Sequence, residues 1–177
     1  METIWEPKKL ALPLIALDVP SAWKGLEQVI EPLLDEFNIG RDTCLDMGVD
    51  YGFSTVAFSN YFKEVTGIDH FKGDKHAGFR DLYQQVKQIG IPNINFVQSD
   101  YKDFIKDNNN YYNLIHIDLV HTYKDTYKAG KWAINHADMV IFHDTESFPE
   151  VHRAVEDLRE GEWFNYPEHH GLGIIAL

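Results

Sequence analysis

From Thr43 to the end of the chain, short apolar runs alternate with segments whose apolar residues recur at helical spacing. The runs are "TCLDM", "EVTGID", "INFVQ", "YNLIHID", "DMVIFHD", "EWFNY" and "GLGIIAL". The helical patterns are Phe53 to Phe62, Lys75 to Ile89, Thr122 to Asn135 and Pro149 to Leu158. Strands separated by helix-length connections must pair in parallel, because a parallel neighbour needs a crossover and a hairpin cannot supply one. The alternation therefore predicts an α/β chain: a doubly wound, mostly parallel, seven-stranded sheet. The last two strands lack a helix between them and are expected to form an antiparallel C-terminal hairpin. Pro149 suits a first helical turn, with Ser147 as its cap. "DNNNYYN" reads as a polar loop. Residues 1–42 carry no strand signal, and "SAWKGLEQVIEPLLDEF" has helical spacing, so this segment is expected to cap one face of a core spanning 43–177.

The chain has 177 residues, enough for one domain with a sizeable core. Its formal net charge of −12 opposes phosphate backbones, and its lysines and arginines are scattered, so nucleic acid is not an expected partner. The single cysteine, Cys44, lies in an apolar run; it is expected to be buried, and its solitude fits a reducing cytoplasm. "KKLALPLIAL" mimics a short signal peptide, but Pro13 interrupts it and no small-residue cleavage site follows, so it is read as a segment packing on the domain. No apolar run approaches a membrane span, and no membrane partner is expected.

In a doubly wound sheet, ligands bind beyond the carboxyl ends of the strands, near the switch point. The first strand ends in "LDMGVDYGFST". Gly48 permits a tight exit from the strand, and Gly52 a close backbone approach at the helix start. The spacing is not that of the dinucleotide fingerprint, since Asp50 stands in place of the middle glycine. A pyrophosphate there would meet Asp46 and Asp50, whereas a cationic ligand would be favoured; solvated aspartates in an ordinary strand-turn-helix fit as well. The second strand ends in "TGIDH", where Asp69 could accept two ribose hydroxyls or cap the next segment. The third ends in "FVQSD", where Ser99 and Asp100 could meet an adenine amino group or cap a helix. The fourth and fifth bring Asp118 with His121, and His143 with Asp144. Neighbouring strands lie roughly 5 Å apart, so these four side chains and Asp69 are expected along one rim.

In that order, "CLDMGVDYGFST", "VTGIDH", "FVQSD", "LIHID" and "VIFHD" resemble the class I S-adenosylmethionine-dependent methyltransferases, over nearly all the chain from Thr43 onward. Within them, "HIDLVHTYKDTYKAGKWAINHADMVIFHDT" resembles the small O-methyltransferase branch that includes cephalosporin-hydroxylase-like and sugar O-methyltransferase proteins. The resemblance implies a Rossmann-like methyltransferase fold that binds S-adenosyl-L-methionine. It implies that Asp46, Gly48 and Gly52, with Tyr51 and Ser54, surround the methionine part, that Asp69 and the neighbouring His70 meet the ribose, and that Ser99 and Asp100 meet the adenine. Asp118 would lie beside the transferred methyl. Some of these relatives hold a divalent metal on that carboxylate and an acidic pair at the end of the fifth strand. Here the pair is His143-Asp144, so the implied metal set is Asp118, His143 and Asp144, with Mg²⁺ or Mn²⁺ as the ion and the imidazole favouring Mn²⁺. The relatives' "IDGDH" reads "IDLVH" here, with Leu119 and Val120 apolar.

The expected catalytic residues are Asp118, His121 and Asp144. His121 is the first candidate base, because a neutral imidazole accepts protons near pH 7, and Asp118 can orient the acceptor or act as the base itself. The expected acceptor is the hydroxyl of a small molecule, sugar-like or natural-product-like, packed by Trp5, Trp23 or the Tyr111-Tyr112 pair. The loop "HFKGDKHAGF" and the N-terminal segment are the available lids; with so little else to close it, the site is expected to be open or completed by a second subunit. Two other readings stand beside this one: a protein that binds S-adenosylmethionine without transferring the methyl, and an NAD-type oxidoreductase, which Asp50 disfavours.

Overall fold

The computed structural model describes residues 1–74, 78–159 and 162–177. In chain order its elements are β1 (Glu2–Ile4), a short 3-10 turn (Leu26–Gln28), α1 (Ile30–Glu36), β2 (Thr43–Met47), α2 (Phe53–Ser59) and β3 (Glu64–Asp69). There follow β4 (Gly73–Asp74), β5 (Gly78–Phe79), α3 (Tyr83–Lys87), β6 (Ile94–Gln98), α4 (Tyr101–Asp107) and β7 (Tyr112–Ile117). The chain closes with α5 (Tyr123–Ala133), β8 (Ala137–His143), α6 (Pro149–Leu158), β9 (Trp163–Tyr166) and β10 (Leu172–Ala176).

The main sheet runs β1-β9-β10-β8-β7-β2-β3-β6. The five strands from β8 to β6 are parallel to their neighbours, and β10 is antiparallel to both β8 and β9. The mostly parallel sheet and its C-terminal hairpin are thus as expected, but the strand count is eight, not seven. The added strand is β1, which pairs in parallel with β9 outside the hairpin, Thr3 opposite Phe164. Three residues are too few to carry a period, so only the pairing reveals it.

The central strands explain the two larger apolar clusters. Along β7, Leu114 joins one apolar cluster and Ile115 and Ile117 the other; along β8, Met139 and Ile141 alternate with Val140 and Phe142 in the same way. That period of two follows from the pleat. It also puts Asp46 on β2, His116 on β7 and His143 on β8 on the face of Leu114 and Met139, where Trp23 and α2 pack. Cys44 is buried on that face, and burial holds its thiol well above the ordinary value.

The helix expected over Lys75 to Ile89 is shorter. Residues 75–77 lie outside the described part, the flanking residues pair as the β4-β5 hairpin, and helix begins only at Tyr83. Ser147 does not cap α6: the capping position is Phe148, without a side-chain bond, and Ser147 meets His170 Nδ1 instead. The N-terminal segment, expected to be helical, is largely a strap. Gln28 accepts from Ala11 N–H, and the Asn60 amide both donates to and accepts from the Ile15 backbone. Among the described residues no helix is long and apolar enough to cross a membrane.

Candidate active site

The chain runs outward from β2 to β3 and β6, then returns to place β7 on the other side of β2. The switch point therefore lies between the carboxyl ends of β2 and β7, where a crevice must open. It is closely built. Asp118 N–H donates to Met47 O, and a Cβ on Gly48 would fall 1.8 Å from the Asp118 carbonyl oxygen. With φ of 101° as well, only glycine fits at position 48.

A cleft of about 330 Å³ opens there. Of the residues singled out from the sequence, Gly48, Tyr51, Ser54, Asp69, His70, Ser99, Asp100, Asp118, His121, His143 and Asp144 line it. Asp46 and Gly52 do not. Asp46 is fully buried beneath the cleft, accepting from Ser54 and Thr55 on Oδ2 and facing His116 Nδ1 at 2.6 Å on Oδ1. Gly52 occupies the left-handed cap of α2, where a Cβ would press on Ile89.

Asp69 carries more than the rim position asked of it. Its Oδ2 accepts from Val49 and Asp50 N–H, both at 2.9 Å, and its Oδ1 from Phe71 N–H at 2.7 Å. The carboxylate therefore pins the glycine turn to the end of β3, and Asp69 itself lines the cleft. Beside it, Tyr51 lies under the Arg80 guanidinium, which also reaches Asp50 at 3.4 Å. Asp100 caps α4 through Lys102 N–H, and Ser99 donates to the Asp100 carbonyl. Thr122 caps α5, exchanging bonds with Asp125.

At the other end, four ionisable groups meet. His121 Nε2 lies 2.7 Å from Asp144 Oδ2 and 3.5 Å from Asp118 Oδ1. His143 Nδ1 lies 3.0 Å from Asp118 Oδ2 and 3.5 Å from Asp144 Oδ2. Adjacent strand residues ordinarily face opposite ways, but β8 ends at His143 and Asp144 takes a left-handed φ of 70°, which turns both side chains toward Asp118. Burial works against charge on His121, yet hydrogen bonds to Asp118 and Asp144 outweigh it and push the imidazole up to about 10. His143 is raised in the same way: burial lowers it, and the Asp118 carboxylate more than restores it. Burial likewise opposes the Asp118 charge, but His143 and His121 hold that carboxyl well below its usual range. Each imidazole thus lies against a carboxylate that favours its charged form. The ring of His121 lies flat on Phe148, centroids 4.0 Å apart, which fixes its plane.

The donors of Asp118, His143 and Asp144 lie within 4.8 Å of one another. His143 Nε2 faces the His169 carbonyl at 3.3 Å. A carbonyl only accepts, so Nε2 carries its hydrogen and Nδ1 is the nitrogen left for an ion, the usual arrangement of a metal-ligating histidine. Two carboxylates and an oriented imidazole fit a divalent cation.

Trp23, singled out from the sequence, lines the cleft as well, but sequence reasoning missed the rest of its wall, Pro20, Ser21 and Ala22, together with Phe71, Leu82, Tyr101, Lys102 and Asp125. The wall has no motif; only the clamps on the strap bring it there. Trp5 and Tyr112 are core residues, and Tyr111 bonds Ala137 O at the opposite end of β7, so neither tyrosine reaches the cleft.

A family model described as a methyltransferase domain matches residues 45–145, just over half of the chain. An uncharacterised protein of Sinorhizobium fredii, y4gI, is 29% identical over 161 residues, covering 74% of this chain and 16% of that protein, so the chain spans about a sixth of that relative's length. Among solved structures, the O-methyltransferase from Bacillus cereus in complex with SAH superposes with a TM-score of 0.64 at 13% identity, covering 93% of this chain and 84% of that one. SAH-bound PaMTH1 of Podospora anserina gives 0.63 at 11%, covering 85% and 77%. The N-methyltransferase NodS of Bradyrhizobium japonicum gives 0.52 at 13%, covering 86% and 96%. At these identities the likeness is one of fold.

Proposed function

The chain belongs to the methyltransferase-domain family, and from that premise we propose that it transfers a methyl group from S-adenosylmethionine to a hydroxyl of a small molecule, sugar-like or natural-product-like. The observation that carries this reading is the gathering of Gly48, Asp69, Asp100 and Asp118, from four separate strand ends, around one cleft at the switch point. Gly48, Tyr51 and Ser54 flank the methionine part, Asp69 and His70 the ribose, and Ser99 and Asp100 the adenine. The SAH held by two of the structural neighbours is consistent with that assignment.

A sulfonium methyl is already activated, so transfer needs alignment and a deprotonated acceptor. Alignment of the acceptor oxygen with the methyl supplies roughly 7–11 kcal/mol of the barrier, and a positioned base about 10²–10⁴-fold in rate. As the rim stands, His121 already carries its proton between Asp118 and Asp144, which removes it as the base and leaves it to orient both carboxylates. Asp118, held well below the usual carboxylate range by the two imidazoles, orients the acceptor and does not take its proton. Asp118, His143 and Asp144 are the residues that would hold a divalent ion, Mn²⁺ before Mg²⁺; such an ion would supply Lewis acidity toward an acceptor hydroxyl.

The test is calorimetric titration with S-adenosylhomocysteine, with and without Mn²⁺ or Mg²⁺, followed by labelled-methyl transfer to a panel of polyols and catechols. Micromolar binding and label in a hydroxyl support the proposal. Binding without transfer to any acceptor, with either metal, makes the chain a cofactor-binding protein. Tighter binding of NAD than of S-adenosylhomocysteine refutes the cofactor assignment.

A further inference from the structure

Beneath the cleft runs a buried hydrogen-bonded chain that the proposed reaction does not use. Trp23 Nε1 donates to His116 Nε2 at 3.0 Å, and His116 Nδ1 meets Asp46 Oδ1 at 2.6 Å. Asp46 Oδ2 accepts from Ser54 at 2.8 Å and Thr55 at 2.6 Å. Asp46, His116 and Thr55 are 0% exposed, Trp23 2% and Ser54 5%, so water cannot substitute for any of these bonds. The three links come from unconnected parts of the chain: the N-terminal strap, β7 and β2.

The donor inventory fixes the direction of every bond. An indole nitrogen can only donate, so His116 Nε2 is an unprotonated acceptor and the imidazole hydrogen sits on Nδ1, pointing at Asp46. Asp46 then receives three donors. Ser54 has a single hydroxyl hydrogen and spends it on Asp46, so toward the cleft it presents lone pairs alone. Trp23 and Ser54 line the cleft, whereas Asp46 and His116 do not.

We propose that Trp23, His116 and Asp46 form a positioning relay, which seats the N-terminal strap as a wall of the cofactor cleft and holds Ser54 as an acceptor toward the bound cofactor. The relay explains a carboxylate and an imidazole placed opposite each other, Asp46 against His116, in the middle of a parallel sheet. It also explains why Trp23, two residues beyond the clamp of the strap's Ser21 hydroxyl on its own N–H, is rigidly edge-on to His116, at 5.2 Å and 76°.

The affinity arm of the test rests on the cofactor reading; the spectroscopic arm does not. Trp23→Phe keeps an aromatic ring against Phe58 and His143 but removes the donor. Trp5→Phe is its control: Trp5 is another buried indole of the N-terminal stretch, whose nitrogen has no hydrogen-bond partner among the described residues. Trp23→Phe is expected to weaken S-adenosylhomocysteine binding roughly tenfold, the loss of about one hydrogen bond, while Trp5→Phe stays within about twofold of wild type. Equal affinities in the two variants, at whatever loss of melting temperature, overturn the relay. In wild type, nitrogen-15 NMR of the His116 ring is expected to show Nδ1 protonated and Nε2 bare. A ring with hydrogen on Nε2 also overturns it. Should wild type bind no S-adenosylhomocysteine, the cofactor reading fails and the tautomer alone decides the relay; it decides alone as well should Trp23→Phe not fold.

Discussion

Replacing Asp69 by alanine tests the central claim about the cleft, that one carboxylate both builds the glycine turn and faces the ligand. The substitution removes the acceptor of three backbone N–H groups, those of Val49, Asp50 and Phe71. Val49 and Phe71 are buried, at 3% and 1% exposure, so their N–H groups cannot turn to water; Asp50 is exposed and can. An orphaned buried donor costs about 1–3 kcal/mol, so two of them predict a loss of roughly 2–6 kcal/mol. For a chain of this size that is about 2–4 °C in melting temperature for each kcal/mol, or a fall of roughly 4–24 °C. Differential scanning calorimetry in the absence of ligand measures it. Titration with S-adenosylhomocysteine, well below the lowered melting temperature, then measures the ligand arm, where affinity should fall by at least about tenfold, the value of one charge-assisted bond. A melting temperature within about 2 °C of wild type would show that the turn does not hang on Asp69 and refute the structural argument. A lowered melting temperature with retained affinity would leave the turn and remove the ribose assignment.

Other consequences can be checked as directly. His121 has its folded value raised from 6.5 to about 10, so its contribution to stability is whole below pH 6.5 and fades as pH rises toward 10. The urea-unfolding free energy of wild type minus that of His121→Asn, in chelator, should therefore shrink across that window, from an upper bound of about 5 kcal/mol; a difference independent of pH contradicts the pairing with Asp118 and Asp144. An ion bound by His143 Nδ1 competes with a proton that the neighbouring Asp118 carboxylate favours, so Mn²⁺ binding should release protons at pH 7. Calorimetric enthalpies that agree between buffers of different ionisation heat would argue against that site. Gly48→Ala places a Cβ at 1.8 Å from a backbone oxygen that cannot swing aside, and the variant is expected to lose soluble expression or its cooperative melt; near-wild-type melting would mean the β2 and β7 ends are not so close.

Much of the architecture was legible because short strand-like runs alternate with helix-length segments, and because the central strands β7 and β8 are buried on both faces and so appear as nearly continuous apolar runs. β2, β3 and β6 begin and end where "TCLDM", "EVTGID" and "INFVQ" do. What escaped had no such signal. β1 is three residues long and exists only through β9. α4 was hidden because Ser99 and Asp100 read equally as ligands and as caps, and Asp100 proves to cap a helix while lining the cleft. The left-handed turn at Asp144 breaks the alternation from which a strand reader would have sent His143 and Asp144 to opposite faces. Asp46 was recognisable as unusual, but its distance from the cleft was not, since its partner His116 lies 70 positions away.

The charge around the cleft bears on which acceptors can enter. Six carboxylates line it, from Asp50, Asp69, Asp100, Asp118, Asp125 and Asp144, and Lys102 is the only lysine or arginine among the described lining residues. That lysine is tied to Asp125 at 2.9 Å. The carboxylates of Asp118 and Asp144 face two imidazoles, Asp50 faces Arg80 and Asp125 faces Lys102, whereas Asp69 and Asp100 accept from backbone N–H groups and keep their field. Such a cleft attracts a sulfonium and repels phosphate. S-adenosylmethionine carries one positive charge more than S-adenosylhomocysteine, so the same field that draws in the donor loosens the product once the methyl has left. On the proposed reading, uncharged acceptors pass this filter, and phosphorylated ones are disfavoured by the acidic lining of the cleft. Leu119 and Val120, apolar and lining the cleft beside Asp118, fit the same reading, since they would offer a neutral acceptor an apolar lip.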